Sequence, residues 1–190
     1  MQIVPDVVGC FDAAVEMLKA EQLRLRKGVV ARNTVLGYGY DWRMFCAWAK
    51  TRGLDPLLFT SLMHQESDFD PYVESVARAK GLTQIIPQTA VEIATALGVK
   101  DFSQADLFHP KQNVQFGTYY FAARLKRNGS VARALAAYNA GDGNVDDWTT
   151  PNREDPDIFV EYVPFTETHD YVKKILGFYW VNRYLWAGQR

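Results

Sequence analysis

Carboxylates, three histidines and two cysteines are the side chains here whose types could do chemistry, and most stand in patterns that suit neither a metal nor a nucleophile. A calcium loop opening at Asp142 has Asn144 and Asp146 at its third and fifth positions, but Asp147 and Arg153 stand where it needs Gly and Glu. A loop opening at Asp68 fails at Val73. These acids read as helix caps and solvated turn residues. His64, His109 and His169 lie on separate segments, none with a Glu or His partner three or four residues on, so no metal and no cofactor is expected. A Gly-Lys-Ser/Thr phosphate loop, a GxGxxG after a strand and a GxSxG elbow are all absent. What remains is Glu66, at the end of the mostly apolar run LLFTSLMHQESDFDP. Burial there would raise its pKa, as a carboxylic acid that donates a proton near neutral pH requires. By position alone, an ordinary surface residue in a last helical turn is the favoured reading of Glu66, and position would not pick it out.

The elements that must position this acid read as helices. Ala14, Val15, Leu18 and Leu25 recur at roughly helical spacing in 11–25, and Asn33-Thr34 caps a second helix stopped at Gly53. Asp55-Pro56 is an N-cap followed by a proline at N1, opening the helix toward Glu66, which must end by Asp70-Pro71. Pro87 and Gly98 bracket another helix, Pro110 and Gly129 a long one, and Ser130 caps a short one that stops at Gly141. Asp155-Pro156 repeats the proline signal. Thr166 begins the last helix, with Val172, Ile175, Leu176 and Tyr179 as its stripe. The fold class is therefore all-α, with seven or eight helices.

With 190 residues, 48% hydrophobic and 23% charged, the chain suits one domain with an appendage and excludes disorder. A net charge of −1 offers no global grip on nucleic acid or an anionic membrane. Residues 1–53 carry eight basic and five acidic side chains and both cysteines, whereas 54–190 carry thirteen and seventeen. That asymmetry marks a join. Cys10 and Cys46 read as small buried side chains ahead of a disulfide. Apolar runs are broken before the about 20 residues that span a bilayer, and the start lacks the basic and apolar regions of a signal peptide.

The acid's surroundings carry a resemblance. The ES-D-F-DP-Y-V-ES string around Glu66, then AKGLTQIIPQTA, LFHPKQNVQFGTYYF, ALAAYNAGDGNVDDW and DIFVEYVPFTETHDYVKKILGFYWVNRYL, resemble, in order, the catalytic domain of soluble lytic transglycosylases of the goose-lysozyme-like group. The likeness covers about 54–187 and implies a lysozyme-like all-α domain preceded by an N-terminal helical extension.

Residue by residue, the resemblance implies that Glu66 is the single catalytic acid/base and that Ser75 lines the site, its bland alternative being a turn serine. Gly81 permits close backbone approach and Gln84 hydrogen-bonds an N-acetyl sugar. Tyr138 points its hydroxyl into the cleft, against the alternative of a core aromatic; Asn139 is structural; Glu161 is a second acid at the cleft floor. The chain departs from the family pattern at Arg78, which replaces a Gly, so the turn there is strained or the loop shifted. Thr83 and Ile86 stand where Met is usual, and His109 replaces an Asp before Pro110.

One acid instead of two implies a route without water. Glu66 protonates the glycosidic oxygen between N-acetylmuramic acid and N-acetylglucosamine, the N-acetyl carbonyl supports the cationic centre, and the muramoyl 6-hydroxyl closes a 1,6-anhydro ring as Glu66 takes its proton. The implied partner is peptidoglycan glycan, the implied location the periplasm or envelope, and a monomer is assumed.

Residues 1–53 are set apart from a catalytic domain at 54–190. Within them, ARNTVLGYGYDWRMFCAWAKTRGL at 31–54 resembles the start of the core-binding domain of tyrosine recombinases, suggesting a chimera. The favoured reading is amphipathic helices covering the enzyme domain through Trp42, Phe45 and Trp48; DNA binding is the lesser one, since so small an excess charge touches few phosphates. A non-catalytic peptidoglycan-binding module is the other alternative.

Overall fold

The computed structural model describes residues 45–47, 49–148 and 155–186. The expected helix at 11–25, the caps at Asn33-Thr34 and the recombinase-like residues 31–44 lie outside them. Residues 45–47, 49 and 50 are helical, and Gly53 at φ 71° follows them, as expected of a stop.

Seven α-helices follow: α1 Pro56–Ser67, α2 Pro87–Leu97, α3 Pro110–Asn128, α4 Val131–Ala140, α5 Asp142–Asp147, α6 Pro156–Glu161 and α7 Thr166–Trp186, with a 3₁₀ turn at Gln104–Phe108 before α3. Local chemistry sets the boundaries. Asp55 accepts from the Leu57 N–H at 2.9 Å ahead of Pro56, and Asp155 caps α6 in the same way ahead of Pro156. Gly98 and Gly129 close α2 and α3 in the left-handed region. Two expectations needed correction. Ser130 occupies the N-cap position of α4, but its hydroxyl makes no cap bond. The Gly-Asp-Gly segment does more than turn, because Asp142 opens α5 while its carboxylate meets Arg124, Arg127 and Asn128 of α3.

Among the described residues, pairing of β type is confined to isolated bridges, Glu74 with Lys80 and Lys80 with Ile85, so the fold is all-α as expected. The Ala-rich α4 lies at the centre, buried from Ala132 to Tyr138 and packed against α3, α5, α6 and α7. Small side chains let those neighbours approach closely. Phe59, Phe116, Phe121 and Phe159 are fully buried around it, each contributing about 1.5–3 kcal/mol. Phe45, ahead of the expected join at residue 53, belongs to the same core.

The remaining pairing that matters is α1 against α7. Tyr179 donates to Asp55 at 2.7 Å, Asn182 to Ser61 at 3.0 Å, and the His64 ring lies 4.2 Å from that of Phe178. These contacts run along α1 and bring the first third of α7 beside its C-terminal end, where Glu66 stands.

Candidate active site

α1 ends abruptly. Asp68 and Phe69 both take positive φ, 50° and 61°, which turns the chain at once and tucks the Phe69 ring into the core. The hydroxyl of Ser67, beside Glu66, is shared between the Met63 carbonyl at 3.1 Å and the Leu82 carbonyl at 3.0 Å. Glu66 is thereby tied to the loop before α2, and its side chain is half-buried.

Burial pushes the Glu66 carboxyl from its ordinary 4.5 up to about 7, opposed by one hydrogen bond in which the Tyr171 hydroxyl donates to Oε1 at 2.5 Å. Tyr171 is itself buried, and burial together with the charge of Glu66 raises its pKa well above the ordinary phenol value. Tyr138 is the second phenol here: the charge of Glu66 acts on it, and after burial this is the largest cause of its raised pKa. A carboxyl of this kind is poised to give a proton and take it back near neutrality.

The loop carrying Gly81 and Gln84 is held from three sides. Asn113 of α3, fully buried, accepts from the Thr83 N–H at 2.8 Å and from the Thr83 hydroxyl at 2.7 Å, and donates to the carbonyls of Lys80 at 2.7 Å and Leu107 at 2.9 Å. Tyr138 donates to the Thr83 carbonyl at 2.7 Å, and Ser67 reaches Leu82. Gly81 has φ 73°, and a Cβ there would lie 2.3 Å from the Leu107 carbonyl oxygen, so only glycine fits. Gln84 spends both amide protons on this loop, donating to Val73 and Gly81 carbonyls at 3.1 and 2.8 Å, so its remaining hydrogen-bonding capacity is that of the acceptor Oε1.

Ser75 closes the turn at 75–79: its hydroxyl accepts from the Ala79 N–H at 3.0 Å, and its carbonyl from the Arg78 N–H at 2.8 Å. Arg78 adopts φ 63°, the strained alternative of the two that the sequence left open. Thr83 meets the scaffold through Asn113, while Ile86 is exposed. His109 precedes α3 without a side-chain cap bond. Asn139 accepts from Thr168 at 2.6 Å, linking α4 to α7 in a structural role.

Glu66, Tyr138 and the Gly81–Gln84 loop are therefore brought together, whereas Glu161 is engaged with side chains of α7. It is exposed and bound to Lys173 at 2.7 and 3.0 Å, with His169 at 3.8 Å, and Lys173 holds its carboxyl below the ordinary range. His169 and Lys173 each lie two residues from Tyr171, about 200° around α7 from the side chain that meets Glu66. Sequence reasoning missed Tyr171 and Asn113. Tyr171 stands four residues before Ile175 on the buried side of α7, and a phenol there needs a partner; Asn113 had no such signal. Among the described residues no cluster of His, Cys, Asp and Glu could hold a metal ion, and no helix is long and apolar enough to cross a membrane.

The family model described as the transglycosylase SLT domain matches residues 43–158. The chain belongs to the SLT transglycosylase domain family. The soluble lytic murein transglycosylase of Escherichia coli is 36% identical over 128 residues, 65% of this chain and 20% of that protein. The membrane-bound lytic murein transglycosylase C of Actinobacillus pleuropneumoniae is 32% identical over 150 residues, 67% of this chain and 41% of that protein. Among solved structures, a lytic transglycosylase Slt of Pseudomonas aeruginosa, described as an inactive Glu-to-Gln mutant, superimposes with a TM-score of 0.68 at 32% identity, covering 74% of this chain and 24% of the other. The SLT domain here thus has the lysozyme-like helical fold of those enzymes, and the chain spans about a fifth of the length of the soluble relatives. The SLT match begins eleven residues before Leu54 and takes in the buried Phe45.

Proposed function

We propose that this SLT domain is a lytic transglycosylase that cleaves the β-1,4 bond between N-acetylmuramic acid and N-acetylglucosamine in peptidoglycan, leaving 1,6-anhydromuramoyl ends. The observation that carries the reading is the half-buried Glu66, its pKa raised to about 7 and a phenol on one oxygen. The relatives are named lytic murein transglycosylases, and one was inactivated by exchanging a Glu for Gln.

Neutral Glu66 protonates the glycosidic oxygen, the bond to the anomeric carbon breaks, and the N-acetyl carbonyl supports the positive centre. The muramoyl 6-hydroxyl then bonds to that carbon and its proton goes to ionised Glu66, which restores the acid and consumes no water. A retaining or inverting hydrolase would need a second carboxylate about 5–9.5 Å away. The acids nearest in sequence are engaged otherwise: Asp68 is exposed and pairs with His64 at 3.3 Å, and Asp70 caps the Tyr72 N–H at 2.9 Å. The Gly81–Gln84 loop, Tyr138 and Ser75 are proposed to shape the sugar subsite, with Gln84 Oε1 accepting from an N-acetyl N–H. An envelope location follows from such a substrate.

Mass spectrometry of sacculi digested by the purified protein decides. Anhydro ends, one water lighter than hydrolysed ends, are expected from the wild type and none from Glu66→Gln at unchanged helicity. Release by that mutant would sink the assignment, and sacculus binding without product would favour a non-catalytic binding module.

A further inference from the structure

Glu66 has two carboxyl oxygens, and they are not equivalent. Oε1 already accepts from Tyr171, whose hydroxyl reaches it from α7 across 105 residues of sequence. Tyr138, the phenol of α4 that also senses Glu66, cannot take over this donation while its own single proton is committed to the Thr83 carbonyl at 2.7 Å. We propose that Tyr171 is the positioning residue of Glu66: by occupying Oε1 it leaves Oε2 as the oxygen that hands the proton to the glycosidic bond and receives it back. The inference rests on the reading of Glu66 as acid/base.

The surroundings isolate this pair. Facing Glu66 are Tyr171 of α7 and Tyr138 of α4; behind Tyr138 lie Tyr120 and Arg124 of α3, the guanidinium stacked 3.3 Å over the Tyr120 ring and paired with Asp142 at 3.6 Å. On α1 itself His64 turns to Asp68, and in the loop Lys80 binds Glu74 at 2.8 Å. A neutral donor serves a residue that must be acid and base in turn better than a cation would. A lysine or arginine at this distance would hold the carboxylate ionised and abolish the acid step. A donated phenolic hydrogen bond steadies the carboxylate only enough to make its formation tolerable in a desolvated site.

The test is the Tyr171→Phe variant, followed by the pH dependence of anhydro-product release and by ¹³C NMR titration of the Glu66 carboxyl. With the donor gone the ionised form loses support, so both the alkaline limb of the rate profile and the carboxyl midpoint should move up by about one pH unit. The rate below that limb should fall about tenfold or more as the carboxyl loses its fixed orientation. A lowered melting temperature with both midpoints unmoved would show a merely structural tyrosine and overturn the proposal. Should Tyr171→Phe not fold, 3-fluorotyrosine placed at this position keeps the shape and makes the phenol a stronger donor. The midpoint should then move down, and an unmoved midpoint overturns the proposal. The titration needs no substrate, so it reports the Tyr171–Glu66 coupling separately from product release: an unmoved midpoint overturns the role of Tyr171, whereas a wild type that released no anhydro product would overturn the functional reading and with it this inference.

Discussion

Gly117 on α3 and Thr83 in the loop before α2 fill one gap between them: a Cβ at position 117 would lie 2.4 Å from the Thr83 Oγ1 and 2.6 Å from its Cβ. A side chain at position 117 would therefore press on Thr83, the residue that stands where the resembled family pattern has methionine. Thr83 is short, and its hydroxyl is consumed by Asn113, one turn before Gly117 on the same helix. Thr83 thus ties its loop to α3 through a hydrogen bond and a close packing contact.

Gly117→Ala should therefore cost about 1–3 kcal/mol through overpacking against a hydrogen-bonded side chain that has no room to yield. In a chain of this length that is a fall of about 2–12 °C in melting temperature, readable by circular dichroism. An unchanged melting temperature would mean that Thr83 can turn away without loss.

Arg78 stores strain that glycine would not. It holds φ 63° in an exposed turn, where its guanidinium lies 3.7 Å from Glu74. Arg78→Gly should stabilise the fold by up to about 1 kcal/mol, because relief of the left-handed conformation outweighs the freer unfolded chain. Chemical denaturation would show the midpoint rising with an unchanged slope; a lower midpoint would assign the exposed ion pair the greater weight.

Glu66 makes stability depend on pH in a set direction. Its folded pKa, about 7, stands above the ordinary 4.5, so between these values the folded protein holds a proton that the unfolded chain has released. Stability is greatest below about pH 4.5 as far as this group is concerned, and it is lost as pH rises through about 7. Glu66→Gln removes the penalty and keeps an acceptor for Tyr171. The variant should exceed the wild type in stability at pH 8 by on the order of 2–3 kcal/mol and match it more closely at pH 5. Melting curves at the two pH values check the sign, and equal differences at both would contradict the raised pKa.

The helix boundaries were legible because each is written by neighbours. Asp55 caps a nitrogen two residues away, Pro56, Pro87, Pro110 and Pro156 open helices at their own positions, and Gly98 and Gly129 close them. Glu66 was legible as a candidate because an acid ends an apolar run, and the motif order raised it above other acids. Ser130 shows the limit of such reasoning, since a capping residue at the correct position makes no cap bond.

By itself, then, the sequence determined the helical class and most of the boundaries, which depend on residues within about one turn of each other, and the acid to suspect, which the order of motifs along the chain singled out. Only the tertiary structure decided that Tyr171 meets Glu66, that Asn113 braces the Thr83 loop thirty residues away, and that Glu161 is spent on Lys173. The reason is physical: a pKa is set by how much water packing removes and by which distant donor it delivers, and neither quantity has a period or a spacing along the chain.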